Sequence, residues 1–385
     1  MIEIILFLLL LLILYTVFFH IILIIICFLS GKTSYPLQKK PTGPCETWPT
    51  VSIFIPIHKN SDILTDKLID ISKSKYPDKL IEILVILDGD VAGIEEAIAK
   101  YRAKVAGGPE LRIVSCPKAG KNIALSKGIN EATGDIFLIT DIDARLSPLA
   151  VRRLVGALGP EDVGGGCGRH LITSDQGAQN TYWDMEAKIK TAEMNVLGSV
   201  TAAYGTILAV KRHLSISIPP GVTDDHFLAL SIVDRGFRFV YAPESIVYIE
   251  KPSRTLLMEI QRRRRIVAQS FYSLLAWKKL LNPINRGLYA ICLASHKVLR
   301  RFLPLFLIAF FGMTLWWYLQ GEKIAGVFLF LQASSYAIVF GSFVLGISGV
   351  RLPRPFRLAA YFFAGNTGIF LGIVDFLRGK KYIIW

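Results

Sequence analysis

Cysteine and histidine are scarce in this chain: five and six among 385 residues. The cysteines, Cys27, Cys45, Cys116, Cys167 and Cys292, are odd in number and never closely paired. That excludes a disulfide framework and a cysteine-rich metal site, and it fits a reducing compartment. Acidic residues are also few, 30 against 44 basic ones, for a formal net charge of +14. A basic surplus can signal nucleic acid, but here it clusters beside apolar runs, which favours anionic membrane lipid instead. There is no internal repeat and no low-complexity tract. The amino end lacks the basic cluster and small-residue cleavage site of a signal peptide and carries Glu3 instead.

What the chain has in excess is apolar sequence, 52% of residues with a mean hydropathy of +0.45. Ile4 to Leu29 is apolar apart from Tyr15, Thr16 and His20, longer than the ~20 residues that cross a bilayer. Lys32, Lys39 and Lys40 follow it, so the positive-inside rule leaves the next segment in the cytoplasm. Phe302 to Leu319 and Ile324 to Leu345 read as two further spans. Leu358 to Phe376 is long enough to span but contains Asn366 and Asp375, and a re-entrant or interfacial course is the alternative. Charged residues are almost absent from 302–345, which argues against a transporter or channel. The expected organisation is an anchor at 1–30, a linker at 31–49, a cytoplasmic domain at 50–277, an interfacial helix at 278–301 and a membrane region at 302–385.

Within the cytoplasmic domain, strands are expected at Val51–Pro56, Ile81–Leu87, Leu111–Ser115 and Asp135–Thr140. Helices are expected between them, at Ser61–Lys75, Ala92–Lys104 and Asn122–Glu131. This alternation predicts an α/β fold with a doubly wound, mainly parallel sheet, flanked by transmembrane helices. The fourth strand ends in Asp141-Ile142-Asp143. Residues two apart on an extended backbone share a side, so both carboxylates meet where open α/β sheets place their ligands. Two hard oxygen donors there suit Mg²⁺ or Mn²⁺ shared with substrate phosphates; a solvated acidic turn is the plainer alternative. Asp88, after the second strand, is a base or ribose contact or a turn aspartate. Lys118 to Lys121 opens a helix and is a phosphate site or a solvated basic turn.

In this order and spacing the motifs resemble the membrane-bound glycosyltransferases of family 2, which include cellulose, hyaluronan and poly-N-acetylglucosamine synthases. Val51 to Pro56 is similar to the family's opening strand and Ile86-Leu87-Asp88-Gly89-Asp90 to its nucleotide-contacting motif, with Leu87 in place of the first aspartate. Gly120-Lys121-Asn122 to Asn130 resembles the segment before the metal motif, and Asp141-Ile142-Asp143 that motif itself. Thr223-Asp224-Asp225 resembles the element ending in the catalytic base, although from sequence alone Asp224-Asp225 reads as a helix cap. Ser295-His296-Lys297-Val298-Leu299-Arg300 resembles the approach to the membrane region. Polymerising members carry Gln-x-x-Arg-Trp, whereas this chain reads Gln261-Arg262-Arg263-Arg264-Arg265, so arginine stands where tryptophan stacks on the acceptor sugar.

The resemblance implies a GT-A-like nucleotide-sugar domain. It makes Asp225 the catalytic base, Asp141 and Asp143 the metal ligands, and Pro56, Asp88, Lys121, Asp141, Gln261 and Arg264 donor contacts. Asp224, His170 and Arg265 fall to the acceptor; His170 also reads as a satisfied strand-end histidine, and His226 as a metal ligand, a proton relay or a packing residue. Tyr182 and Trp183 are glycan contacts or core. Other arginines of the run are expected on lipid headgroups. The partners implied are a nucleotide-sugar donor, expected to be a UDP-sugar, a glycan or lipid-linked acceptor, and membrane lipids, with no nucleic acid. A homo-oligomer or an export partner stays open. The expected activity is inverting transfer that builds a β-linked exopolysaccharide or capsular polysaccharide at the cytoplasmic membrane; the alternative is transfer of one sugar to a polyprenyl phosphate or diphosphate.

Overall fold

Four short runs, three of them apolar and buried and the other at the sheet edge, form the parallel half of the sheet. They are β1 (Val51–Ile57), β2 (Ile81–Asp88), β3 (Glu110–Cys116) and β4 (Ile136–Thr140). The computed structural model describes residues 2–29, 48–59, 61–173, 177–250 and 255–384. Most of the expected linker, with Lys32, Lys39, Lys40 and Cys45, lies outside the described residues, as does Arg254. Four more strands, β5 (Ala144–Leu146), β6 (Val163–Ile172), β7 (Ile207–Lys211) and β8 (Arg238–Ile249), complete an eight-stranded sheet. Its order is β3-β2-β1-β4-β7-β6-β8-β5. β1 pairs in parallel with β2 and β4, and β2 with β3, whereas β7 runs antiparallel to β4 and β6. The sheet is therefore mixed, mostly parallel, and its parallel half aligns the carboxyl ends of β1, β2 and β4 along one edge.

The helices pack where their apolar stripes dictate. α2 (Leu64–Ser72) buries Leu64, Leu68 and Ile71 at spacings of four and three, one face of a helix. α3 (Ile94–Lys104), α4 (Lys121–Glu131) and α5 (Ala150–Ala157) follow the same pattern. Ile53, Phe54, Ile83, Leu84 and Leu138 are fully buried between the helical layers. Each such side chain contributes about 1.5–3 kcal/mol relative to exposure. α2 also carries Lys67, wholly buried beneath the end of β4. Its Nζ donates to Thr140 Oγ1 at 2.8 Å and to the Ala144 carbonyl, bracketing the Asp141–Asp143 turn from both ends. Burial pulls the Lys67 amine down to about 7, against the opposing pull of Asp141, Asp143 and Asp70.

The second half adds α6 (Gly177–Leu197), α7 (Asp224–Asp234) and α8 (Leu256–Ala276). α1 (Ile2–Leu29) is the amino-terminal apolar helix. α9 (Pro283–Leu293), a π-helical turn (Ala294–Leu299) and α10 (Arg300–Leu319) run on into one another. The segment expected as a separate interfacial helix is thus continuous with the next span. α11 (Lys323–Ile347) and α12 (Arg354–Leu377) complete the chain. Among the described residues four helical stretches are long and apolar enough to cross a membrane: the start of α1, 283–319, α11 and α12. α12, which contains the ambiguous 358–376, is the most buried of them, because it lies along α8.

That contact is close because α12 presents glycine. A Cβ at Gly368 would stand 2.7 Å from the Ile260 carbonyl oxygen and 2.9 Å from Arg263 Cβ, so backbone would have to move. Gly341, on α11, has nothing within 4 Å. Gly368→Ala is expected to lower stability by about 1–3 kcal/mol through overpacking, whereas Gly341→Ala is neutral or stabilising. Thermal unfolding of the two full-length variants in detergent, side by side with the unaltered chain, checks this.

Candidate active site

The turn after β4 lifts Asp141 and Asp143 to the edge where the parallel strands end, beside the amino end of α4. Gly120 adopts φ +97°, a conformation that disfavours any side chain, and this lets the chain enter α4 sharply. Asp88, at the end of β2 and 2% exposed, holds that turn: its carboxylate accepts from Ala119 N–H at 2.7 Å and Gly120 N–H at 2.9 Å. α4 then presents Lys121, whose Nζ lies 2.8 Å from Asp141 Oδ1 and 2.9 Å from Asp224 Oδ2. Asn122 Nδ2 donates to the carbonyls of Pro219 and Val222, tying α4 to the loop that delivers Thr223, Asp224 and Asp225. α7 begins there, so Asp224 and Asp225 occupy its first turn, where the helix dipole favours negative charge.

The electrostatics follow from crowding carboxylates in a partly dry place. Burial, then the charge of Asp141, raises the Asp143 carboxyl above its usual range. Burial, then the charge of Asp224, pushes Asp225 up to about 6. Burial alone would lower Lys121, but the flanking Asp141 and Asp224 hold it above the ordinary lysine value. Asp225 accepts from the His226 N–H at 2.7 Å. The His226 ring is turned to α8, with Nδ1 2.8 Å from Ser270 Oγ, and burial keeps it well below the usual histidine range. These groups line a cavity of about 880 Å³ shared between the sheet edge, α7, α8 and the start of α10.

α8 divides its arginines by face. Glu259 takes Arg262 at 3.0 Å and Arg263 at 2.6 Å, three and four residues on. Arg262 and Arg265, three apart, both line the cavity together with Gln269. Gln261 and Arg264 share a different face and do not line it. Gln261 is exposed, and Arg264 forms a forked ion pair with Asp375 of α12, one arm at 2.8 Å. The helix rotation therefore puts Arg262 and Arg265 where the sequence motif led us to expect Gln261 and Arg264. Asp88 likewise stands outside the cavity lining, with its carboxylate accepting backbone N–H groups of the turn into α4. Pro56 is buried within β1 and also stands outside the cavity lining.

Farther from the sheet the cavity is aromatic and basic. His170 on β6 packs against Trp183 at 4.2 Å and Tyr204 at 4.5 Å between centroids. Burial, then Lys190, depresses His170 to about 3, so its ring is neutral. Lys190 Nζ donates to the Ala202 carbonyl and stands 4.3 Å above the Tyr204 ring. Glu186 pairs with Arg300 and His296, and Glu193 with His296 and Thr201. The C-terminal segment returns to this cavity too. Gln269 Nε2 donates to the Tyr382 carbonyl at 2.8 Å, Ile383 and Ile384 join the lining, and the Ile383 carbonyl abuts Gly120. Lys67, Lys190, Arg262 and this segment were not singled out from sequence. Their only signals are a lysine on a buried helix stripe and polar residues opposite an apolar one.

Among the described residues no three His, Cys, Asp or Glu side chains converge as a complete metal cage. Asp141 and Asp143 nevertheless fit a hard divalent ion bound partly by substrate oxygen. Two carboxylates share the turn, and Asp143, raised by burial and then by the charge of Asp141, stands where a cation would offset that repulsion.

Residues 52–214 match the family described as Glycosyl transferase family 2. That span holds Asp88, Lys121, Asp141 and Asp143 and ends before Thr223. The chain is 25% identical over 265 residues to an N-acetylglucosaminyltransferase of Mesorhizobium japonicum, covering 64% of this chain and 61% of that protein. It is likewise 25% identical over 268 residues to one of Rhizobium meliloti, again 64% and 61%. The chain thus spans about three-fifths of the length of these relatives. In three dimensions it resembles the mannosyltransferase PcManGT from Pyrobaculum calidifontis, solved in complex with GDP-Man and Mn²⁺. The TM-score is 0.68 at 20% identity, over 96% of this chain and 99% of that one, a likeness of fold. Residues 52–214 accordingly carry a glycosyl transferase family 2 domain, on a mixed, mostly parallel sheet whose fold is like that of the mannosyltransferase.

Proposed function

We propose that the chain transfers a sugar from a nucleotide-sugar donor, with inversion at the anomeric carbon, to a hydroxyl of a growing β-linked polysaccharide. The observation that carries this is the meeting of Asp141, Asp143, Lys121 and Asp225 in one cavity. Asp141 and Asp143 are the assigned ligands of Mg²⁺ or Mn²⁺, which when bound supplies Lewis-acid neutralisation of the leaving diphosphate. Lys121 adds a fixed positive charge beside them and keeps Asp141 and Asp224 in place. Asp225 takes the acceptor proton while the acceptor oxygen bonds to the anomeric carbon and the bond to the diphosphate breaks. One displacement with one base and no enzyme nucleophile turns an α-linked donor into a β-linked product. The relatives' name supports N-acetylglucosamine as the sugar. The apolar helices and the basic flanks support a cytoplasmic-membrane protein with this domain on the cytoplasmic side.

A second reading, transfer to a lipid-linked acceptor, draws support from Arg265. It lines the cavity at the position where polymerising relatives place tryptophan.

Asp141→Asn and Asp143→Asn are each expected to abolish donor turnover in a folded protein, and EDTA to do the same to the unaltered enzyme. Release of free nucleotide by purified membranes, with and without added Mn²⁺, checks both, and full activity in EDTA would refute the metal assignment.

Asp225 must be deprotonated to act, and its pKa is raised to about 6. The sign follows: kcat/KM is level above pH 6 to 7 and falls tenfold per unit below about 6, whereas an ordinary aspartate would hold activity to about pH 4. Asp225→Asn is expected to lose roughly 10²–10⁴-fold in rate while keeping nucleotide-sugar affinity. A pH–rate profile and a donor-binding titration of the variant test this; unchanged rate would remove Asp225 from the role.

A further inference from the structure

α2 buries an apolar stripe, Leu64, Leu68 and Ile71, and Lys67 is enclosed in the same layer. An apolar side chain would fill that place at less cost, because an amine taken out of water must recover its hydration from fixed partners. Packing alone therefore does not account for a lysine here; its partners do. Lys67 does not line the cavity and is out of reach of any substrate. Its Nζ nevertheless reaches both ends of the Asp141–Asp143 turn, at Thr140 Oγ1 (2.8 Å) and at the Ala144 carbonyl. The Ala144 N–H closes the same turn on the Asp141 carbonyl at 3.2 Å. Three residues along α2, Asp70 accepts from Arg145 Nη2 of β5 at 3.0 Å. α2 thus grips the turn at Thr140, Ala144 and Arg145.

The link extends beyond the turn. Thr140 Oγ1, while accepting from Lys67, donates to the Thr206 carbonyl at 3.0 Å. Thr206 follows Gly205, where a Cβ would stand 3.3 Å from Asp225 Oδ2. The lack of a side chain at 205 leaves backbone lying against that carboxylate. Lys67, Thr140 and Thr206 therefore form one chain of hydrogen bonds, with Asp141 and Asp143 at one end and Asp225 at the other. The two groups come from separate elements, the end of β4 and the start of α7, so something must fix their separation. Lys121 joins Asp141 to Asp224 at the rim, but a donor diphosphate would draw on that lysine. The inner link is beyond the reach of donor and acceptor alike. Groups behind a site, themselves untouched by substrate, commonly lock the ones in front.

We infer that Lys67 is a positioning residue for sugar transfer, fixing through Thr140 and Thr206 where the Asp141–Asp143 turn stands relative to Asp225. This rests on the sugar-transfer reading of the cavity and adds a residue that touches neither substrate. The test uses Lys67→Gln, Thr140→Val and Thr140→Ser in the full-length protein in detergent. The first two are expected to lower kcat for nucleotide release by about ten- to a hundredfold, the cost of an ångström of misplacement. Calorimetric affinity for UDP with Mn²⁺ should stay within about threefold, since only alignment for the transition state is lost. Thr140→Ser keeps the hydroxyl and should hold kcat within about threefold of the unaltered protein. Amide exchange followed by mass spectrometry reads the link without turnover. Peptides covering 140–145 and 204–207 should exchange at least about fivefold faster in Lys67→Gln and Thr140→Val, with β2 and β3 unchanged. Full kcat in both of these variants would overturn the proposal. So would a loss of affinity for UDP with Mn²⁺ as large as the loss of kcat, or exchange that rises evenly over the whole sheet. If the unaltered protein releases no nucleotide from UDP-glucose, UDP-N-acetylglucosamine or GDP-mannose, the sugar-transfer reading fails instead, and exchange at 204–207 still decides the link to Lys67.

Discussion

At the end of β4 the chain brings together carboxylates that repel one another, and much of the surrounding architecture holds them there. Asp141 and Asp143 arise from one short turn, and Asp224 and Asp225 approach from α7. Lys121 bridges the two groups at the rim, and Lys67 braces the turn from below through Thr140 and Ala144. Neither lysine is dispensable to this arrangement, since like charges a few ångströms apart in a partly dry cavity cost several kcal/mol unless opposed. Burial in that cavity, and then the same repulsion, lifts the carboxyls of Asp143 and Asp225 above the usual range.

The parallel half of the fold could be read from the sequence because its strands are short runs rich in apolar and β-branched residues, bounded by turns. β1, β2, β3 and β4 fall within a residue or two of the expected limits. The other half could not. β6 begins with Val163-Gly164-Gly165-Gly166, which carries no alternation of apolar and polar residues, and β8 is recognisable only from its pairing. The candidate site was legible where a motif fixes both residue and direction, as at Asp141 and Asp143. It was not where direction depends on the rotation of a helix. The arginine run names five residues, but only the packing of α8 decides that Arg262 and Arg265 face inward and Arg264 outward. Asp88 shows a related limit, since a turn aspartate and a ligand aspartate are identical in sequence.

The basic surplus takes on a different meaning once the side chains are located. Part of it is internal rather than spread over lipid headgroups. Arg262 and Arg263 share Glu259, Arg300 pairs with Glu186, and Lys190 is held by a carbonyl and an aromatic face. Those cations line or flank the cavity, so the basic surplus is divided between the interior and the flanks of the apolar helices.

The Arg264–Asp375 pair has a mechanical meaning. α8 is a wall of the cavity on one side and is bolted to α12 on the other, with Gly368 and Gly372 allowing the two backbones to touch. Sliding or tilting α12 would drag that wall along. Because α12 is apolar enough to sit in a bilayer, its tilt would answer to hydrocarbon thickness. Lipid chain length would then act as a control knob on the width of the cavity, without any ligand touching the sheet.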